Sequence, residues 1–174
     1  MIVAVEYVTL DGVFENPSWT QPYFDETVGA WQGESMQWAD ALLLGRVTYE
    51  GMSEAWPAMG NEPGTGGDIM NSIRKYVPTS TLAEPTWNST FLTGDVVGEI
   101  RDLSARENLL VYGSGALTEA LRAAGLVDEY RLLIAPIVLG EGRRLFTTDV
   151  SSSFVVADTR AAPSGMVQLS LRAA

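Results

Sequence analysis

Two strand-to-helix turns, one in each half of the chain, constrain the fold more than any other feature. The first reads Ala41-Leu42-Leu43-Leu44-Gly45-Arg46-Val47-Thr48-Tyr49-Glu50. The second reads Leu109-Leu110-Val111-Tyr112-Gly113-Ser114-Gly115-Ala116-Leu117-Thr118-Glu119. In both, a short apolar run meets glycine and then residues that open a helix. An α-helix leaves its first N–H groups unpaired and carries partial positive charge there, so such a turn suits phosphate. Glycine lets an anion approach the backbone closely. Two such turns on one sheet suit the two ends of a dinucleotide, and Arg46 adds charge for a further phosphate.

The rest of the chain alternates strands with helices. Ile2 to Thr9 is apolar and β-branched and reads as a strand, closed by the turn Leu10-Asp11-Gly12. Asn16-Pro17-Ser18 breaks structure, and the apolar spacing from Pro22 to Trp38 predicts a helix. Ala41 to Leu44 reads as a buried strand and Arg46 to Ala55 as a helix. Pro57 to Asp68, rich in Gly and Pro, reads as a mobile loop. Ile69 to Tyr76 reads as a short helix leading into Val77-Pro78-Thr79-Ser80. Thr90 to Leu92 is a short strand, Asp95 to Leu103 a helix, Leu109 to Tyr112 a strand and Ser114 to Ala124 a helix ended by Gly125. Tyr130 to Leu139 reads as the longest strand, and Phe154 to Asp158 with Met166 to Leu171 as a closing hairpin. The alternation predicts one α/β domain over residues 1–174, with a mainly parallel sheet, helices on both faces and an antiparallel C-terminal edge.

What is missing narrows the chemistry. With no cysteine and no histidine, the chain has no thiolate nucleophile, no imidazole base and none of the commonest zinc ligands, so no metal is expected. Reaction chemistry falls to carboxylates, Tyr, Ser/Thr, Arg, the lone Lys75 or a cofactor. A formal net charge of −11 argues against nucleic acid, whose backbone needs a basic face. It leaves room for one bound nucleotide held by local groups. No apolar run is long enough to span a membrane. Met1 to Glu6 lacks a basic n-region and reads as strand rather than signal peptide, so a cytoplasmic protein is expected.

In the order of its motifs the chain resembles the dihydrofolate-reductase-like fold. Within that fold it is most similar to the reductase domain of bacterial riboflavin biosynthesis and its stand-alone relatives. The matching pieces are Thr9-Leu10-Asp11-Gly12, Gly45 to Glu50, Tyr76-Val77-Pro78-Thr79-Ser80, Val111 to Gly115 and Gly125 to Gly142, in the family's order over roughly residues 1–150. The resemblance implies NADPH as cofactor. Gly45, Arg46 and Thr48 match positions that hold its phosphates, with Arg46 near the adenosine ribose phosphate. Thr79 and Ser80 match the adenine side. Gly113, Ser114, Gly115 and Ala116 match the turn under the pyrophosphate, with Leu117 packed beneath. Leu10 to Pro17 matches the loop over nicotinamide and substrate. A homodimer is also implied.

The departures bear on the substrate. Dihydrofolate reductases carry a buried acid on the first long helix, at a position that falls here near Gly29, with Asp25, Glu26 and Glu34 displaced along the helix. Reduction of dihydrofolate itself is therefore not expected. The same helix has no Lys or Arg for a ribose phosphate and is aromatic and acidic instead. That favours an uncharged or cationic ring, with Phe24, Trp31 and Tyr49 as candidate substrate contacts. The expected activity is an NADPH-dependent oxidoreductase, like the 5-amino-6-(5-phosphoribosylamino)uracil reductases, giving hydride to a small heterocyclic (pteridine- or pyrimidine-like) or imine-like substrate. Water, Asp11 or a tyrosine would supply the proton; Asp11 equally reads as a plain turn cap. Two alternatives stand: a non-catalytic nucleotide or small-molecule binding module, and a reductase using flavin or deazaflavin in the same cleft.

Overall fold

The computed structural model describes residues 1–64, 66–147 and 150–174. Eight strands form one sheet: β1 (Ile2–Thr9), β2 (Ala41–Leu43), β3 (Arg74–Pro78), β4 (Ser89–Leu92), β5 (Leu109–Tyr112), β6 (Glu129–Ala135), β7 (Phe154–Ala161) and β8 (Val167–Ala173). Their spatial order is β4-β3-β2-β5-β1-β6-β8-β7. Neighbours from β4 to β6 pair in parallel, and β8 runs antiparallel to both β6 and β7. The mainly parallel sheet with an antiparallel edge is the one the alternation of elements predicts.

Helices cover both faces, which is why β1, at the centre, is almost continuously apolar. Val3 and Val5 pack with Val28, Trp31 and Met36 of α1 (Glu26–Trp38), Tyr49 of α2 (Arg46–Ala58) and Met70 of α3 (Gly67–Ser72). Ile2 and Ala4 turn the other way, onto Ile100 of α4 (Val96–Ser104) and Leu121 of α5 (Gly115–Ala123). Among the described residues no helix is long and apolar enough to cross a membrane.

Four local readings need correction. The helix expected from Pro22 is split: a 3-10 turn covers Pro17–Tyr23, then Asp25 takes an extended conformation and caps α1, accepting from Val28 N at 2.9 Å. Tyr76 lies in β3, not in a helix. The spacing of Met70, Ile73 and Val77 imitates a helical face. Lys75 can sit inside a strand because the Trp87 ring covers its ammonium at 4.0 Å, and burial pulls its pKa down to about 8. β6 stops at Ala135 because Pro136 has no N–H for the ladder. In the stretch expected as a loop from Pro57 to Asp68, Pro57 and Ala58 complete α2 and Gly67 opens α3; Thr65 lies outside the described residues.

Candidate functional site

Because β2 pairs with β5, the two glycine turns stand side by side. Gly45 N donates to Ser114 Oγ at 2.8 Å, joining them across 69 positions of sequence. A Cβ on Gly45 would lie 3.2 Å from the Ser114 Cβ, so glycine permits this approach. Both turns open on one cavity of about 680 Å³, whose lining includes Arg46, Thr48, Gly115, Leu117 and Arg143.

The helices at this cavity differ from α1, α3 and α4 in having no acid in their first turns; α3 has no side-chain cap but carries Asp68. Asp25 caps α1 and Asp95 caps α4 with side-chain hydrogen bonds, and Glu26 and Glu99 follow in their first turns. α2 and α5 begin at Gly45 and Ser114 with no side-chain cap and no acid in the first turn. Ser114 even holds a left-handed φ of 74°, a conformation that costs a non-glycine residue of order 1 kcal/mol or more. Two uncapped helix N-termini thus face one space with Arg46 and Arg143 beside them. Arg46 is half-exposed and held by Glu50 at 2.7 Å, one helical turn on.

The segment after β1 overlies this cradle. The Phe14 ring occupies the space a Cβ on Gly115 would need, and Arg143 stands over the same ring at 5.5 Å. The segment is tied throughout to residues 137–145. Leu10 N donates to Ile137 O, Phe14 N to Arg143 O and Leu145 N to Gly12 O. Asp11 accepts from Leu139 N and Gly140 N, and Glu15 accepts from Arg143 N at 2.7 Å.

Two polar clusters reach the cavity, one through Tyr7 and Tyr112 and the other through Glu6. On one face of the sheet, Tyr112 donates to Gln32 of α1, and Gln32 donates to Tyr7. Burial pushes both phenols well above their ordinary range, so they stay neutral. On the other face lies Glu6, 2% exposed, with Oε1 accepting from Thr118 Oγ1 of α5 at 2.6 Å. Burial pushes the Glu6 carboxyl up to about 7, with the Thr118 hydrogen bond pulling against it. The folded state therefore binds this proton more tightly than the unfolded chain, whose carboxyl titrates near the ordinary 4.5. Its contribution to stability is complete below that value and is lost as pH rises through about 7. Replacing Glu6 by Gln should raise the melting temperature relative to the parent more at pH 8 than at pH 5, by about 5 °C. An equal difference at the two pH values would show that Glu6 is ionised throughout.

A sequence model of the RibD C-terminal domain matches residues 1–167. The chain belongs to the RibD C-terminal domain family. The family is one of reductases. The uncharacterized protein YyaP of Bacillus subtilis (strain 168) is 30% identical over 171 residues, 93% of this chain and 89% of YyaP. A putative riboflavin biosynthesis protein from Shewanella sp. PV-4 has the same fold, with a TM-score of 0.79 at 21% identity over 99% of this chain and 98% of that one. So has dihydrofolate reductase from Enterococcus faecalis, solved with NADP(H) and RAB-propyl. Its TM-score is 0.64 at 16% identity, over 99% of this chain and 96% of the enzyme.

In this RibD C-terminal domain the residues singled out from sequence fall into two sets. Gly45, Arg46, Thr48, Gly113, Ser114, Gly115, Ala116 and Leu117 all line the cavity. Thr79 and Ser80 follow β3, one strand beyond β2, outside that lining; Thr79 Oγ1 accepts from Thr81 N and Leu82 N at 3.2 Å. Phe24, Trp31 and Tyr49 do not line it either. Trp31 is core, and Tyr49 is buried with its hydroxyl bound at Thr86 and Ser89. Phe24 is half-exposed against Gly29. Asp11 is fixed as an anion: the Thr9 hydroxyl at 2.6 Å, then Gly140 and Leu139 N–H groups, pull its carboxyl down to about 2. At neutral pH it has no proton to give, so it serves the turn. Glu6 was not singled out, although one acid inside the otherwise apolar β1 marks it. Among the described residues no cluster of three or more acids could hold a metal.

Proposed function

We propose that this chain is an NADPH-dependent reductase that delivers hydride to a small heterocyclic or imine-like substrate. The observation that supports the reading best is the contrast in first turns: α2 and α5, which open on the cavity, begin with neither a side-chain cap nor an acid, whereas α1, α3 and α4 each carry an acid there. The residues fit the cofactor. Gly115 has no Cβ between its backbone and the cavity, so a pyrophosphate can meet the first N–H groups of α5 once Phe14 swings aside. In this reading Arg46, at the start of α2, would meet the extra ribose phosphate, and Thr79 and Ser80, beyond the cavity lining, the adenine side. The volume of about 680 Å³ lies within the usual range of ligand pockets.

When bound, NADPH supplies the hydride. The chain's part is to hold it and to shape what it reduces. Tyr7 and Tyr112, held by Gln32 behind them, present neutral hydrogen-bonding groups to the cavity, which suits an uncharged ring. Titration of the protein with NADPH and NADH, followed by tryptophan quenching, should show tighter binding of NADPH. Arg46→Ala should weaken NADPH by about tenfold or more and NADH by less than about twofold. Equal losses for both would remove Arg46 as the reader of the phosphate, and binding of neither would remove the reductase reading.

A further inference from the structure

Glu6 is a buried acid without a cation. No ion pair reaches it among the described residues, and Thr118 holds only one of its two oxygens. Among the described residues Oε2 has no hydrogen-bond partner, yet it is not one of the fully enclosed, unpaired polar atoms, which are on Asp68, Tyr130 and Ser164. Glu6 lines the cavity, so Oε2 is the oxygen that fronts it. Thr118 donates to Oε1, so a proton on the carboxyl belongs on Oε2, aimed at whatever the cavity holds.

We propose that Glu6 is the proton donor of this site, delivering its Oε2 proton to the nitrogen of a bound C=N substrate, with Thr118 as the residue that positions it. The proposal rests on the reductase reading. The substrate carbon receives the hydride and its two electrons. The C=N π pair moves onto nitrogen, which bonds the proton leaving Oε2. Substrate is reduced to an amine and cofactor oxidised; Glu6 is left as a carboxylate that Thr118 stabilises and water reprotonates. The alternatives are worse donors: Asp11 lies outside the cavity lining and is already ionised, Glu15 in the lining is engaged by Arg143 N, and the Tyr7 and Tyr112 phenols hold their protons too tightly. A carboxyl poised near 7 matches a donor to neutral pH. The groups that face Glu6 are Thr118 from α5 and Tyr130 from β6, with Glu119 and Arg122 beyond Tyr130. Arg46, Glu15 and Arg143 line the same cavity.

The test uses Glu6→Gln, which keeps the size and the Thr118 contact but has no acidic proton. Infrared difference spectra of parent against variant, recorded with NADPH bound, should show a protonated carboxyl at about pH 6 that is gone by about pH 8.5. Thr118→Val should move that midpoint upward, because it removes a hydrogen bond to the charged form. Glu6→Gln should bind NADPH within about twofold of the parent. It should oxidise NADPH about 100-fold more slowly with 1-pyrroline or 7,8-dihydrobiopterin as probe, and lose the alkaline fall in rate. Bound NADPH with no protonated carboxyl at about pH 6, or parental turnover by Glu6→Gln, overturns the proposal and leaves the reductase reading intact. A parent protein that binds no NADPH overturns the reductase reading, and the donor role with it.

Discussion

Ala116→Glu should abolish tight NADPH binding without cost to the fold. Ala116 is exposed in the first turn of α5, where there is no acid. A carboxylate there completes the helix dipole favourably, by about 0.3–1 kcal/mol. The same carboxylate sits on the N–H groups assigned to the pyrophosphate. Two unit charges about 4 Å apart repel by about 4 kcal/mol at a protein-surface dielectric. Even a fraction of that lowers affinity by roughly 100-fold. Fluorescence titration and thermal unfolding of one sample separate the effects: affinity should collapse while the melting temperature holds or rises. A variant that keeps both would place the anion site away from α5.

The largest loss of stability is expected at Arg122. Its guanidinium is buried and meets Glu119 with two bonds of 2.9 and 3.0 Å. It also donates to Val150 O at 2.6 Å and Ser152 Oγ at 2.7 Å, and lies 5.8 Å from the Phe146 ring. Arg122→Met fills similar space but strips a buried carboxylate of its bidentate partner. Breaking such a pair from one side costs about 3–5 kcal/mol, or roughly 10 °C in a domain of this size. The double variant Arg122→Met with Glu119→Leu should recover most of the loss, because it leaves no buried charge. Denaturant unfolding of the three variants gives the cycle. A single variant within about 1 kcal/mol of the parent would show that the pair is solvated.

The glycine turns were legible because each is a local event, an apolar run meeting glycine and then a helix. Their meeting was not local. It depends on β5 lying between β2 and β1, an order that no short window of sequence carries. The absence of acids in the first turns of α2 and α5 could have been read directly, against Asp25 and Asp95 elsewhere. Trp31 and Tyr49 illustrate the opposite limit. An aromatic on the inward face of a helix reads the same whether it meets core or cleft, and these two meet core. Glu6 was visible as an acid inside an apolar strand, but its meaning depends on Thr118, 112 positions away on α5.

The segment carrying Phe14 and the segment from Ile137 to Leu145 are stitched together by backbone bonds and by the Asp11 and Glu15 carboxylates. Backbone so tied has little conformational entropy left in either segment. A ligand settling beneath it has the Phe14 side chain to displace but no loose loop to freeze, so its contacts lose little to ordering costs.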